Sequence, residues 1–197
     1  MTLSTEPTFR AAPSTAVGPA VNPWLGAALV AALLGLAGSL YLSLGMGLKA
    51  CPLCFYQRTF MMSLVAVLGI GLISGMGRTG RLGLLALPLA IAGLGVASFH
   101  VYLETAGKLE CPQGLLGWGT APQQSLVMFG ALTALLLTDV MASRHAGWVR
   151  WPLTVGGMVL GGLLAVGSCV SNPPMPAPPA KPYAAAPDIC RPPYQPR

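Results

Sequence analysis

Charged side chains are scarce in this chain: Asp, Glu, Lys and Arg make up 8% of its 197 residues, and only five of them are acidic. Beside 54% hydrophobic residues and a mean hydropathy of +0.67, that is too little charge for a soluble domain of this length. The composition is that of an integral membrane protein. Histidine is also rare, with two residues, and there is a single C-x-x-C, Cys51-Pro52-Leu53-Cys54. A structural zinc site needs about four ligands at paired spacings. With no second C-x-x-C and no nearby His, no metal site is expected. Covalent haem attachment needs His directly after the second cysteine, where Phe55 stands. The net charge of +6 could suggest nucleic acid, but the eleven Lys and Arg are scattered over membrane-flanking loops and the tail. There they set topology, and no nucleic-acid partner is expected.

A helix needs roughly 20 apolar residues to cross the hydrocarbon core. Five runs qualify as candidate spans, 24–48, 55–76, 82–102, 125–141 and 153–168, the last two short. The expected fold is therefore all-α: a four-helix transmembrane bundle over 24–141, then a cytoplasmic loop and a fifth transmembrane helix over 142–169. Residues 1–23 read as a disordered cytoplasmic segment. The first apolar run follows Pro7, Pro13 and Pro19, so it is expected to remain as a helix and not to serve as a cleaved leader. Arg78 and Arg81 separate runs two and three, and Arg144, His145 and Arg150 separate runs four and five. The positive-inside rule puts both connections in the cytoplasm. Residues 49–54, the connection 103–124 and everything after 168 then lie outside, so all five cysteines face one compartment, where disulfides persist. Gly157 and Gly161 in the fifth run have the spacing that lets helices approach closely, within the chain or in a dimer.

Residues 170–197 contain Pro173, Pro174, Pro176, Pro178, Pro179, Pro182 and Pro187. Such a composition holds the backbone extended and builds no core. The tail reads as a semi-rigid outer tether ending in Cys190, with a reach of roughly 60 Å at about 3.1 Å per residue.

Two cysteines spaced C-x-x-C close a disulfide within one helical turn, and a helix N-terminus with a nearby cation stabilises the attacking thiolate. Cys51 and Cys54 therefore point to redox chemistry, against the plainer reading of a static disulfide. Arg58 shares a helical face with Cys54 at i+4. An arginine in the outer turn of a membrane helix is costly unless it snorkels or pairs, which leaves a functional cation or an interface anchor. His100, near the outer end of the third run, carries an imidazole that can take up or release a proton, and reads as a proton carrier or as a hydrogen-bonded interfacial residue.

The segment Cys51-Pro-Leu-Cys-Phe-Tyr-Gln-Arg58, opening the second span of a small helical membrane protein, resembles the DsbB family of quinone-linked membrane disulfide oxidases. The resemblance covers 24–141. It implies a bacterial cytoplasmic (inner) membrane protein with its redox cysteines on the periplasmic side. It also implies a quinone cofactor, ubiquinone or menaquinone, drawn from the membrane pool, and a thioredoxin-like periplasmic dithiol protein as partner. Cys54 would meet the quinone, Cys51 would exchange with the other cysteine pair and Arg58 would polarise the quinone oxygen; His100, read from its imidazole and not from the resemblance, would pass protons when the quinone is reduced. Cys111 lies where the family places its substrate-facing cysteines. Longer members carry two in that loop and this chain carries one, so the partner comes from elsewhere or is absent; the candidates are Cys190, on the tail and favoured, and Cys169, at a helix end. The expected catalytic set is Cys51, Cys54, Cys111 and Cys190. The sequence Val166-Gly-Ser-Cys169 after an apolar Gly-rich run also resembles a lipoprotein lipobox; its plain reading is a small apolar residue near a helix end. Two rival functions remain. One is a vitamin K epoxide reductase-like quinone reductase, whose C-x-x-C usually occurs late in the bundle. The other is a structural membrane subunit with permanent disulfides.

Overall fold

A computed structural model of the chain describes residues 22–78, 81–142, 150–174 and 176–195. Most of the expected N-terminal segment, and Arg144 and His145 of the expected cytoplasmic loop, lie outside the described residues. Among the described residues are five α-helices: α1 (Pro23–Leu44), α2 (Pro52–Ile73), α3 (Leu82–Thr105), α4 (Ala121–Ala142) and α5 (Arg150–Val170). Each is long and apolar enough to cross a membrane, so the chain is an all-α, multi-pass membrane protein. Apolar side chains such as Val30, Leu34, Ile70 and Leu85 are exposed on the outer faces, as expected where lipid replaces water. A helix satisfies its own backbone groups, which hydrocarbon cannot do.

The helix ends depart from the apolar runs for local reasons. α1 stops at Leu44, and the chain turns away through Gly47, whose φ of 69° is open to glycine at little cost. α2 begins before its run, because Cys51 caps it in extended backbone and Pro52 takes the first helical position, where no N–H is needed.

α1 packs on α2, α2 on α3, α3 on α4 and α4 back on α1, closing a four-helix bundle, while α5 lies outside it against α3. Flanked by α2, α4 and α5, α3 is the most buried of the five. Small residues permit this. Ala86, Ala90 and Ala97 of α3 join a core completed by Leu25 and Ala32 of α1, Leu64 and Leu68 of α2, and Leu132 and Leu136 of α4. Phe129 of α4 fills the notch at Gly93, where any side chain would strike its ring. Without a hydrophobic driving force between helices in lipid, such close van der Waals fits carry much of the association.

The Gly157 and Gly161 spacing serves packing within the chain, against Pro88 of α3. A methyl carbon at Gly161 would lie 2.7 Å from the Pro88 carbonyl oxygen, whereas Gly162 faces open space. Gly161→Leu is expected to weaken the docking of α5 by about 1–3 kcal/mol, the usual cost of overpacking. A lowered unfolding midpoint in detergent micelles would register it, with Gly162→Leu unchanged as the control.

The alternation of the helices gathers all five cysteines at one end of the bundle. At the other end Asn22 caps α1: its Oδ1 accepts from the Trp24 N–H (3.4 Å), and its Nδ2 donates to the buried Asp139 of α4 (2.8 Å). The proline-rich tail folds back over the cysteine end and does not stand off as a tether. The Lys49 N–H donates to the Asp188 carbonyl (2.8 Å), and the same two side chains form an exposed ion pair. Glu110 and Arg191 exchange two backbone hydrogen bonds, 2.8 and 3.0 Å. The Arg191 guanidinium lies over the Tyr183 ring, 3.6 Å from its centroid. Prolines remove donors, but 188–191 contains none, and this short stretch does the pairing.

Candidate functional site

Cys51 and Cys54 are unbonded thiols whose sulfurs, 2.9 Å apart, share a hydrogen bond. Cys111 and Cys190 form a disulfide. The two pairs thus stand in opposite redox states. Cys51, as the helix cap, also accepts from the Cys54 backbone N–H at 3.3 Å. The Cys54 side-chain hydrogen bond is the main cause that lowers the Cys51 pKa to about 5; burial pushes it up, and His100 and the Cys54 N–H add to the lowering. These surroundings favour the thiolate at Cys51 over the thiol.

His100 is fully buried on α3. Its Nε2 lies 3.8 Å from Cys51 Sγ and 3.5 Å from Cys111 Sγ, and its Nδ1 is 3.3 Å from Gln57 Nε2. The imidazole therefore stands between the two cysteine pairs. Chain position alone does not set a histidine beside the C-x-x-C; the packing of α2 on α3 does. Gln57 was not singled out at all, although a buried amide one turn after Cys54 in an apolar helix is a signal that could have found it.

Arg58 donates to Ser39 Oγ (3.0 Å), the Ser39 carbonyl (3.0 Å) and Ser43 Oγ (2.5 Å), tying α2 to α1. Among the described residues no carboxylate pairs with it. Arg58, Gln57 and Cys54 line a cavity of about 160 Å³ between α1, α2 and α4, with Gly35 and Gly38 among its other lining residues. Neither Cys51 nor His100 lines it. Cys51 instead borders a second cavity of about 120 Å³ beneath the tail, together with Leu53, Leu109, Cys190 and Pro176. The two residues of the dithiol thus border different cavities, Cys54 the first and Cys51 the second. Cys169 is a free thiol at the end of an unbroken α5, packed at the edge of the apolar cluster around Cys51 and Leu53, and the disulfide of Cys111 is with Cys190.

A membrane bundle that sets a vicinal dithiol against a disulfide, with one imidazole in reach of both, is a multi-pass membrane protein equipped for thiol–disulfide exchange. The chain belongs to the DsbB family: the family model described as disulfide bond formation protein DsbB matches residues 21–170, which include all five helices. Among similar proteins, disulfide bond formation protein C of Bacillus subtilis (strain 168) is 41% identical over 120 residues, covering 54% of this chain and 84% of that protein. Disulfide bond formation protein B 1 of Pseudomonas aeruginosa is 38% identical over 130 residues, 65% of this chain and 78% of the relative. A probable disulfide formation protein of Deinococcus radiodurans is 34% identical over 137 residues, 64% and 85% of the two chains. No solved structure matches the chain. The protein is accordingly a membrane disulfide oxidase, an oxidoreductase, and the tail that carries Cys190 lies beyond the span the family model matches.

Proposed function

We propose that this protein takes two electrons from a thioredoxin-like periplasmic dithiol protein, passes them through Cys111 and Cys190 and then through Cys51 and Cys54, and delivers them to ubiquinone or menaquinone in the bacterial inner membrane. The observation that carries the reading is the division of the dithiol: Cys54 borders the cavity that contains Arg58, and Cys51 borders the one that contains Cys190. In this reading residues 24–141 are the electron-carrying bundle, and α5 delivers the tail 170–197 to the periplasmic face.

A partner thiolate attacks the Cys111–Cys190 disulfide, and resolution leaves an oxidised partner and two thiols here. The Cys190 thiolate then attacks Cys51 of an oxidised Cys51–Cys54 pair, and Cys54 leaves as a thiolate toward Arg58. Cys111 resolves the Cys51–Cys190 bridge and restores the outer disulfide. His100 Nε2, within 3.5 Å of Cys111 and 3.8 Å of Cys51, accepts the proton of the incoming thiol. Thiols at Cys51 and Cys54 beside an intact outer disulfide are the state this sequence leaves behind. The proton shared across 2.9 Å then selects the direction of attack. On Cys54 it leaves Cys51 as the thiolate facing the tail; on Cys51 it frees Cys54 to face the cavity.

Quinone supplies an acceptor for two electrons and two protons. The first cavity suits its headgroup, with apolar walls, a cation, and glycines at Gly35 and Gly38 where side chains would intrude. Its volume of about 160 Å³ takes a single ring and leaves a prenyl chain to lie in lipid. A structural subunit with permanent disulfides would gain nothing from the unbonded Cys51 and Cys54, and family membership favours a DsbB-type oxidase over the vitamin K epoxide reductase-like alternative.

The direct test is quinone reduction by purified protein supplied with a reduced thioredoxin-like donor; absence of donor-dependent quinone loss would overturn the reading. Arg58→Ala should raise the quinone KM by roughly tenfold to a hundredfold, as loss of a charge-assisted hydrogen bond of about 1.5–3 kcal/mol implies. Arg58→Lys, which keeps the charge, should recover part of it. Unchanged quinone kinetics in Arg58→Ala would leave Arg58 as the tie between α1 and α2.

A further inference from the structure

We propose that, once the tail disulfide is reduced, the protein binds one zinc ion through Cys51, Cys54, Cys190 and His100, and that the bound metal halts electron transfer. The ligand atoms of these four residues all lie within 4.8 Å of one another, although they come from α2, α3 and the tail. Three thiolates and an imidazole are a donor set typical of tetrahedral zinc. Zinc–sulfur and zinc–nitrogen bonds of about 2.3 and 2.0 Å place neighbouring ligand atoms roughly 3.5–3.8 Å apart. Cys51 Sγ and His100 Nε2 already stand at 3.8 Å. Cys51 and Cys54, at 2.9 Å, must open by roughly 0.9 Å, a side-chain rotation within the first turn of α2.

The surroundings fit a metal as well as the ligands do. A ligating histidine normally engages its second ring nitrogen with a neighbouring polar group, which fixes the tautomer. The Gln57 amide contacts His100 Nδ1. With Oε1 turned toward that nitrogen, the proton stays on Nδ1 and the Nε2 lone pair faces the sulfurs. The cavity beneath the tail, bordered by both Cys51 and Cys190, is the approach route.

The chemistry balances without any reagent beyond the dithiol donor. Its two thiols reduce the Cys111–Cys190 bond, leaving a disulfide in the donor and thiols at Cys111 and Cys190. Zinc then displaces whatever protons the Cys51, Cys54 and Cys190 sulfurs still hold, and no electrons move in that step. All three sulfurs are free together only when reductant is abundant and the electron acceptor is exhausted. The site therefore holds the enzyme in its fully reduced form, with neither C-x-x-C sulfur available as a nucleophile. Metal binding needs no quinone, so it stands or falls independently of the function proposed above.

The test is titration of the full-length protein in detergent, completely reduced under inert gas, with cobalt as the spectroscopic probe and zinc as the competitor. One equivalent of cobalt should give the visible bands of a tetrahedral site and thiolate-to-cobalt charge transfer, and zinc should displace it. Cys190→Ser and His100→Ala should each weaken zinc binding at least about tenfold, Gln57→Leu by about 10–100-fold, and Cys111→Ser should leave it unchanged. Protein with its tail disulfide intact should bind far more weakly. Equal affinity in Cys190→Ser or in the oxidised protein would reduce the site to the vicinal dithiol alone and overturn the proposal. So would loss of binding in Cys111→Ser. An octahedral spectrum or no binding by the reduced wild-type protein would overturn it without reference to any variant.

Discussion

Cys190→Ser should reduce protein-dithiol oxidation to background while small dithiols still drive quinone reduction through Cys51 and Cys54. Cys190 is the only disulfide partner of Cys111, and its sulfur lies within 4.8 Å of Cys51 Sγ. Removing it leaves Cys111 a lone thiol, with no disulfide for a donor thiolate to attack. Cys169 cannot take over, because it is held at the end of α5 in the apolar cluster and does not travel with the tail. The variant should therefore form no covalent complex between a reduced donor and Cys111 on a non-reducing gel, whereas the wild type forms one transiently. Quinone absorbance followed with a thioredoxin-like donor and with dithiothreitol separates the two activities. Ordinary turnover with the protein donor would make the tail an anchor and remove it from the electron path.

The second large effect is at Cys54. Cys54→Ala should abolish quinone reduction by every donor and shift the pH at which Cys51 reacts. The Cys54 side-chain hydrogen bond is the largest cause of the lowered Cys51 pKa of about 5. In reduced wild-type protein, alkylation of Cys51 should hold its rate as pH falls from neutrality toward 6 and drop near 5, where the thiolate takes up a proton. In Cys54→Ala the drop should move up toward neutrality, with His100 and the backbone N–H still giving some lowering. His100→Ala should also move it up, since the imidazole too lowers the Cys51 pKa. Matching profiles in wild type and Cys54→Ala would show that the hydrogen bond is not the cause.

The membrane helices were legible because a spanning run announces itself by composition, and the odd number of spans carried the tail to the cysteine end. What composition could not convey was phase and docking. Nothing in a run of Leu, Ala and Gly reveals which side of α3 meets α2. Along the chain His100 reads as a proton carrier or a hydrogen-bonded interfacial residue, and only folding sets it between the cysteine pairs and outside the lining of the Arg58 cavity. No histidine lies near the C-x-x-C along the chain, whereas folding brings His100 to it in space. The tail was read from its prolines as an extended tether. The proline-free stretch from Asp188 to Arg191, with Tyr183 to receive the guanidinium, folds it back. Arg58 was expected on the Cys54 face and lines the same cavity, but its ties to Ser39 and Ser43 needed the packing of α1 on α2.

The central claim is that the C-x-x-C faces two ways, with Cys51 serving the tail disulfide and Cys54 serving the cavity. Non-reducing peptide mapping of Cys54→Ala, quenched in acid, tests it most directly. With Cys54 gone, the Cys51 thiolate has Cys190 Sγ within 4.8 Å, and a displaced Cys111 thiolate would leave 3.5 Å from His100 Nε2. The exchanged species should carry Cys51 joined to Cys190, with Cys111 free. Cys51 joined to Cys111 with Cys190 free, or no exchange product at all, would contradict it.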